Sequence, residues 1–288
     1  SVSSAGVAQA VQWLREHGEA HPSFAEGVLP RLAAHCQGQG GVAAPLDAEV
    51  VAQGGIPAVL NAMAAHPANE RVQAFGCMLM GLLCDRETRT RQAKDSGAAR
   101  LVCAALRAHK TIDVMTSGCL AIGQLAALPP VAKECAESGA VNLVVAAMRA
   151  KPGRPALQAN ACMALANLII GEARASDHAQ CQLAADIGAL ECIVDALVRF
   201  PTHDGVLHWA TTAMLRLTHE SAERAQLAIA AGAKDALHLA FSQPQIKSMP
   251  TIAAKVELAH KWLTMHEKVG EHGAGAAGYG NANPEQPG

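Results

Sequence analysis

The chain has 288 residues, half of them apolar but only 3% aromatic, and its 23 Lys plus Arg against 25 Asp plus Glu leave a formal charge of −2. That balance gives no electrostatic footprint for nucleic acid, and the shortage of aromatic residues argues against a β-sandwich and for closely packed helices. With no apolar run of 18 or more residues and no signal peptide at the start, no membrane insertion is expected.

The nine cysteines are odd in number and lack CxxC spacing, which fits buried thiols in a reducing compartment, cytoplasmic or nuclear, rather than disulfides or zinc ligands. Taken in order, the chain repeats itself. Blocks opening near Ala5, Gly54, Gly97, Gly139, Gly188 and Gly232 are spaced by 49, 43, 42, 49 and 44 residues. Five positions into each block stand Ala10, Val59, Val102, Val144, Ile193 and Leu237, and nine positions in stand Leu14, Met63, Leu106, Met148, Leu197 and Phe241. The separation of four predicts a helix with one buried face. A shorter helix precedes each glycine, as in VAKECAESG, and the glycine relieves the backbone between the two.

A third helix follows 22 or 23 residues after each glycine. Cys77, Met80 and Leu83 align with Cys119, Ile122 and Leu125, with Cys162, Leu165 and Leu168, and with Thr211, Met214 and Leu217, a row expected to face the core. In the first unit this helix is expected to start at Ser23 as N-cap, with Phe24, Val28 and Leu32 inward. The Gly-rich stretch QGQGGVAAPLD that follows lacks the Gly-Lys-Ser/Thr ending of a phosphate loop. RETRTRQAK, Arg86 to Lys94, is predicted to be solvated, and GEARASD, Gly171 to Asp177, is an inserted loop. Past Pro244 an amphipathic helix from about Pro250 to Val269 closes the pattern, with Lys255, Lys261 and Lys268 off its apolar face, and residues 269–288 read as a disordered tail.

A short helix, a Gly-Ala corner, a second helix and a long third helix such as NACMALANL resemble armadillo repeats over nearly the whole chain. The resemblance implies an all-α, right-handed α-solenoid of about six armadillo-type three-helix units over residues 1–268, whose third helices line the concave side. The candidate partner-binding ladder is then Phe75, Met78 and Leu82; Ser117, Leu120 and Gln124; Asn160, Met163 and Asn167; Trp209, Thr212 and Arg216. In peptide-binding armadillo proteins an Asn at the place of Asn167 holds the backbone of an extended peptide beside a Trp four residues earlier. Here that Asn position reads Leu82, Gln124, Asn167 and Arg216, and the Trp position reads Met78, Leu120, Met163 and Thr212. The pattern therefore departs from nuclear-import receptors. Met78, Leu120 and Met163 read first as packing between neighbouring third helices and second as partner contacts.

No catalytic signature is present: there is no GxSxG, no paired carboxylate and no GxGxxG after a strand. His17 and His21, four apart, and His203 and His208, five apart, lack a ligand framework. His17, His66 and His109 share a repeat position at the end of the second helix, where a cation suits the helix dipole. The expectation is a non-enzymatic scaffold for a protein or peptide partner, with no cofactor, no metal and no nucleic acid. The alternatives are a regulatory armadillo module of a larger enzyme, such as a kinase or ubiquitin ligase, which a start at Ser1 would suit, or a cargo adaptor.

Overall fold

The structure, a computed structural model, describes residues 4–37, 47–170 and 177–276. The Gly-rich loop at 38–46, the insertion at 171–176 and the last twelve residues, 277–288, lie outside the described residues. The described chain forms seventeen α-helices in an all-α stack. A pair, α1 (Ser4–His17) and α2 (Pro22–Cys36), comes first. Triplets follow: α3 (Asp47–Ala52), α4 (Gly55–Ala65) and α5 (Glu70–Leu83); α6 (Glu87–Asp95), α7 (Ala98–Ala108) and α8 (Ile112–Leu125); α9 (Pro129–Glu137), α10 (Ala140–Ala150) and α11 (Pro155–Leu168). The last two are α12 (His178–Asp186), α13 (Ala189–Arg199) and α14 (Asp204–Thr218), then α15 (Ala222–Ala230), α16 (Ala233–Ser242) and α17 (Pro250–Ala276).

Each triplet turns on its glycine. Gly54, Gly97, Gly139, Gly188 and Gly232 all take φ between 76° and 88°, the left-handed region where a side chain is strained. Each ends the first helix by donating its N–H three residues back, as from Gly97 to the Lys94 carbonyl at 2.8 Å, and starts the second as N-cap. The third helices α5, α8, α11 and α14 then lie side by side in sequence order, with α2 before α5 and α17 after α14. The row Cys77, Met80, Leu83 and its counterparts through Leu217 is buried throughout, as the spacing predicts.

Other rows depart from expectation. In α1 the buried residues are Val7, Val11 and Leu14, one residue out of frame from Ala10. Phe241 is 47% exposed, where the pattern predicts a buried residue. Helix α2 is entered through His21 as N-cap with Pro22 in its first turn, two positions earlier than a Ser23 cap requires, and Val28 and Leu32 are buried as expected. Helix α17 continues through Ala276, since extending a formed helix adds a hydrogen bond per residue without a new nucleus.

Side chains close the orphan carbonyls at helix ends. Gln73, buried on α5, donates to the Met63 and His66 carbonyls at the end of α4, both at 2.9 Å. Gln158 does the same on α11 for Met148 and Lys151, both at 3.1 Å. The intervening unit has Met115 at that position, and Lys110 caps the Leu106 carbonyl instead, at 2.7 Å. His66 and His109 reach across to the preceding unit, their Nε2–H groups donating to the carbonyls of Gly18 (2.7 Å) and Pro67 (2.8 Å). They are clasps between units rather than dipole partners of their own helices.

The basic run of α6 is only partly solvated. Arg89 is buried and pairs with Asp47 at 2.5 Å and Asp85 at 2.8 Å, while Arg86 and Arg91 stay exposed. Arg224, at the equivalent place eight residues before its corner glycine, is also buried and donates to the Leu217 carbonyl at 2.5 Å. The two ends of the stack carry aromatic contacts. Trp13 meets Phe24 edge-on at 6.3 Å, and Trp262 on α17 stacks with His219, abuts His266 at 4.4 Å and donates Nε1–H to Thr218 Oγ1 at 3.1 Å.

A Cβ added at Gly54 meets nothing within 4 Å, so Gly54→Ala isolates the backbone cost. A loss of about 1–2 kcal/mol is expected in urea unfolding followed by circular dichroism. Gly76→Ala brings its Cβ to 2.4 Å from Met63 Cγ and loses stability through overpacking instead.

Candidate functional site

The predicted ladder lies along the third helices, and its N-terminal half gathers around one cavity. Phe75 and Met78 of α5, Ser117 and Leu120 of α8 and Asn160 of α11 line a space of about 320 Å³ together with Gln37, Ala74, Asp113 and Thr116. Phe75, Met78, Leu120 and Asn160 are half-buried, and Arg71 lies 5.7 Å from the Phe75 ring centroid. Ser117 is buried and spends its hydroxyl on the Asp113 carbonyl at 2.6 Å. Asn160 donates to the Thr116 carbonyl of the neighbouring helix at 3.2 Å. The cavity therefore has an apolar floor and an amide at its rim.

Beyond the cavity the helices approach closely. A Cβ on Gly81 would stand 2.5 Å from Leu120 Cγ, and one on Gly123 would stand 2.4 Å from Met163 Cε. Leu120 and Met163 thus lie over glycines of the preceding helix, and Met163, 7% exposed, packs there instead of presenting a free side chain. The same closeness lets polar ladder residues reach backbone. Asn167 donates from Nδ2 to the Gly123 carbonyl at 2.8 Å, and Arg216 donates to the Ala166 carbonyl at 2.7 Å and to Asn167 Oδ1 at 3.1 Å. Gly123 and Ala166 sit at equivalent places in the last turns of α8 and α11, where no intrahelical N–H serves the carbonyl. Asn167 and Arg216 are struts between units. The side-chain amide of Gln124, half-buried at the equivalent position, has no hydrogen-bond partner among the described residues, and it is available.

At the C-terminal end, half-buried Trp209 meets its neighbour His208 edge-on at 4.9 Å. Thr212 Oγ1 donates to the His208 carbonyl at 2.7 Å and accepts from Lys255 Nζ at 3.1 Å. Lys255 also lies 3.2 Å from His208 Nε2. Lys255 is a ladder residue that the sequence pattern assigns to the outer side of α17, and it extends the row by one rung. Burial and then the charge of Lys255 depress the His208 pKa, and burial and then Arg216 depress that of Lys255.

The histidine pairs take structural roles. His203 caps α14 by accepting from the Val206 N–H at 3.2 Å, and His17 packs edge-on against Phe24 at 5.5 Å. Among the described residues no group of three His, Cys, Asp or Glu side chains could hold a metal, and no helix is long and apolar enough to cross a membrane. Eight of the nine cysteines are buried, and Cys192 is half-buried. Burial pushes the thiols up, that of Cys119 to about 12, which suppresses the thiolate needed for nucleophilic chemistry.

No protein-family model and no curated protein matches the sequence. Solved structures do. A designed armadillo repeat protein superposes with a TM-score of 0.67 at 19% identity, covering 89% of this chain and 99% of that one. Another designed armadillo repeat protein, solved in complex with the peptide (KR)4, gives a TM-score of 0.64 at 18% identity, covering 88% and 99%. A structure from work on a phosphorylation switch controlling the interaction between cadherin and beta-catenin gives 0.69 at 16% identity, covering 90% of this chain and 53% of that one. At these identities the likeness shows the fold, an armadillo-repeat α-solenoid.

Because Asn167 bonds both Gly123 and Arg216, the single changes Asn167→Ala and Arg216→Ala are each expected to cost about 1–2 kcal/mol. Their effects should be non-additive by about 0.5 kcal/mol or more in a double-mutant cycle of urea unfolding. Iodoacetamide at pH 8 is expected to label Cys192 first and to reach Cys77, Cys119 and Cys162 only after urea is added, as read by mass spectrometry of digests.

Proposed function

We propose that this armadillo solenoid is a non-enzymatic interaction scaffold that holds an extended peptide, or a helix of a partner protein, along the concave surface formed by its third helices. The observation that carries the reading is the cavity at Phe75, Met78, Ser117, Leu120 and Asn160, where three successive third helices contribute to one half-buried apolar recess with an amide at its edge. A recess of about 320 Å³ accommodates one large apolar side chain of a ligand. The free amide of Gln124 lies next along the row, suited to the alternating N–H and C=O groups of an extended backbone. Met78, Gln124, Trp209 and Thr212 are the ladder members offered to the partner, with Asn160, Asn167 and Arg216 fixing the spacing of the helices beneath it.

The neighbours lend the reading weight. One designed armadillo protein was solved with a bound peptide, and another is described as made for modular peptide recognition. Nine free cysteines with raised pKa values suit a reducing compartment such as the cytoplasm. No cofactor or metal enters the mechanism, which is shape and hydrogen-bond complementarity.

The test is crosslinked affinity capture with the wild-type chain and a Met78→Glu, Gln124→Ala variant; the Gln124 side chain makes no bond between units, and Met78 makes only a long contact at 3.8 Å from Gln37 Nε2 to its sulfur. With melting curves that match, partners captured by the wild type are expected to fall by about tenfold or more with the variant, because a carboxylate would sit in an apolar recess. Equal capture would exclude the third-helix surface.

A further inference from the structure

We infer that the α14–α17 end of this surface is a carboxylate seat, so that the bound segment is an extended peptide carrying an Asp or Glu opposite Lys255. The inference rests on the peptide-binding reading above and specifies the partner's chemistry. Lys255 has three N–H donors. One is directed to His208 Nε2 at 3.2 Å and one to Thr212 Oγ1 at 3.1 Å, leaving the third for a ligand. Both of these acceptors are neutral: the depressed pKa of His208 keeps it uncharged at pH 7, with its proton on Nδ1 and Nε2 accepting.

Among the described residues no carboxylate pairs with Lys255. The groups that act on it are its partial burial and the guanidinium of Arg216, both of which disfavour the ammonium. The described carboxylates of the same helix are engaged elsewhere, Glu257 paired with Lys261 at 2.6 Å and Glu267 paired with Lys234. A half-buried cation held by neutral groups beside a second cation is relieved by an incoming anion, and burial strengthens that pairing above the surface value. A single available N–H matches one carboxylate oxygen. The chain's formal charge of −2 supplies no broad basic field of the kind a nucleic-acid backbone requires. Trp209 beside His208 offers an aromatic surface for the residue next to the acid.

The distance between the two ends defines a sequence pattern. The apolar recess lies between α5 and α8, and Lys255 bridges α14 and α17, three helix spacings away. At about 9–10 Å per helix and about 3.3 Å per extended residue, the apolar and acidic side chains of the ligand are roughly nine residues apart.

The experiment is selection from a random dodecapeptide display library on the intact chain, on Lys255→Gln and on Lys255→Glu, with melting curves recorded for all three. Peptides enriched by the wild type are expected to share an Asp or Glu at one aligned position. Changing that acid to its amide should weaken binding to the wild type by about tenfold and leave binding to Lys255→Gln unchanged, and Lys255→Glu should select Lys or Arg there. Enriched peptides without a shared acid, or an acid-to-amide change felt equally by wild type and Lys255→Gln, would overturn the carboxylate seat while leaving the scaffold reading intact. If Lys255→Glu does not fold, the Lys255→Gln comparison alone decides. Enrichment of no peptide by the wild type would overturn the extended-peptide reading itself, and the seat with it.

Discussion

Neighbouring third helices meet closely because a glycine on one makes room for a large side chain of the next. Leu120 lies over Gly81 and Met163 over Gly123, and either glycine with a Cβ would push the helices apart. That approach brings the amide of Asn167 and the guanidinium of Arg216 within reach of carbonyls that the last turn of the preceding helix leaves unpaired. In a stack where each unit touches mainly its neighbours, such contacts carry the coupling that a globular core would supply. The recess around Phe75 and Met78 exists on the same terms, since three helices must keep their spacing for it to hold its shape.

Much of this is legible in the sequence because it is local and periodic. The corner glycines announce themselves by spacing and all five take the left-handed conformation, and the buried row from Cys77 to Leu217 follows from helical periodicity. What depends on contacts some forty residues apart is less visible. Asn167 has the composition of a ligand-binding amide, and only the position of Gly123 on the preceding third helix reveals it as a strut. Arg89 belongs to a run that reads as solvated, yet Asp47, forty-two residues earlier, draws it inward. Lys255 sits on the polar side of an amphipathic pattern, yet its ammonium reaches Thr212 of α14. Some signals are available to a closer reading: Gln73 and Gln158 both stand four residues before a core cysteine, and Arg89 and Arg224 both stand eight before a corner glycine.

The third-helix surface is graded from end to end. Phe75, Met78 and Leu120 give the recess between α5 and α8 its apolar part, amides occupy the middle, and the α14–α17 end gathers Arg216 and Lys255 beside Trp209. If the surface holds a peptide as proposed, this grading sets direction and register, because a ligand inserted backwards would place its apolar residue against cations. On the proposed peptide-binding reading, struts and contact residues alternate along the same helices, so fixing the spacing and reading the ligand fall to adjacent side chains.

The tryptophans give this architecture an optical property. Trp13 lies edge-on to Phe24 at one end of the stack, and Trp262 lies between His219 and His266 at the other. Indole emission responds to polarity and to quenching by nearby imidazoles, so the two extremities carry intrinsic chromophores in unlike surroundings. Fraying from the first helix and fraying from the last would alter the spectrum differently, and a single unlabelled chain would report which of its ends opens first.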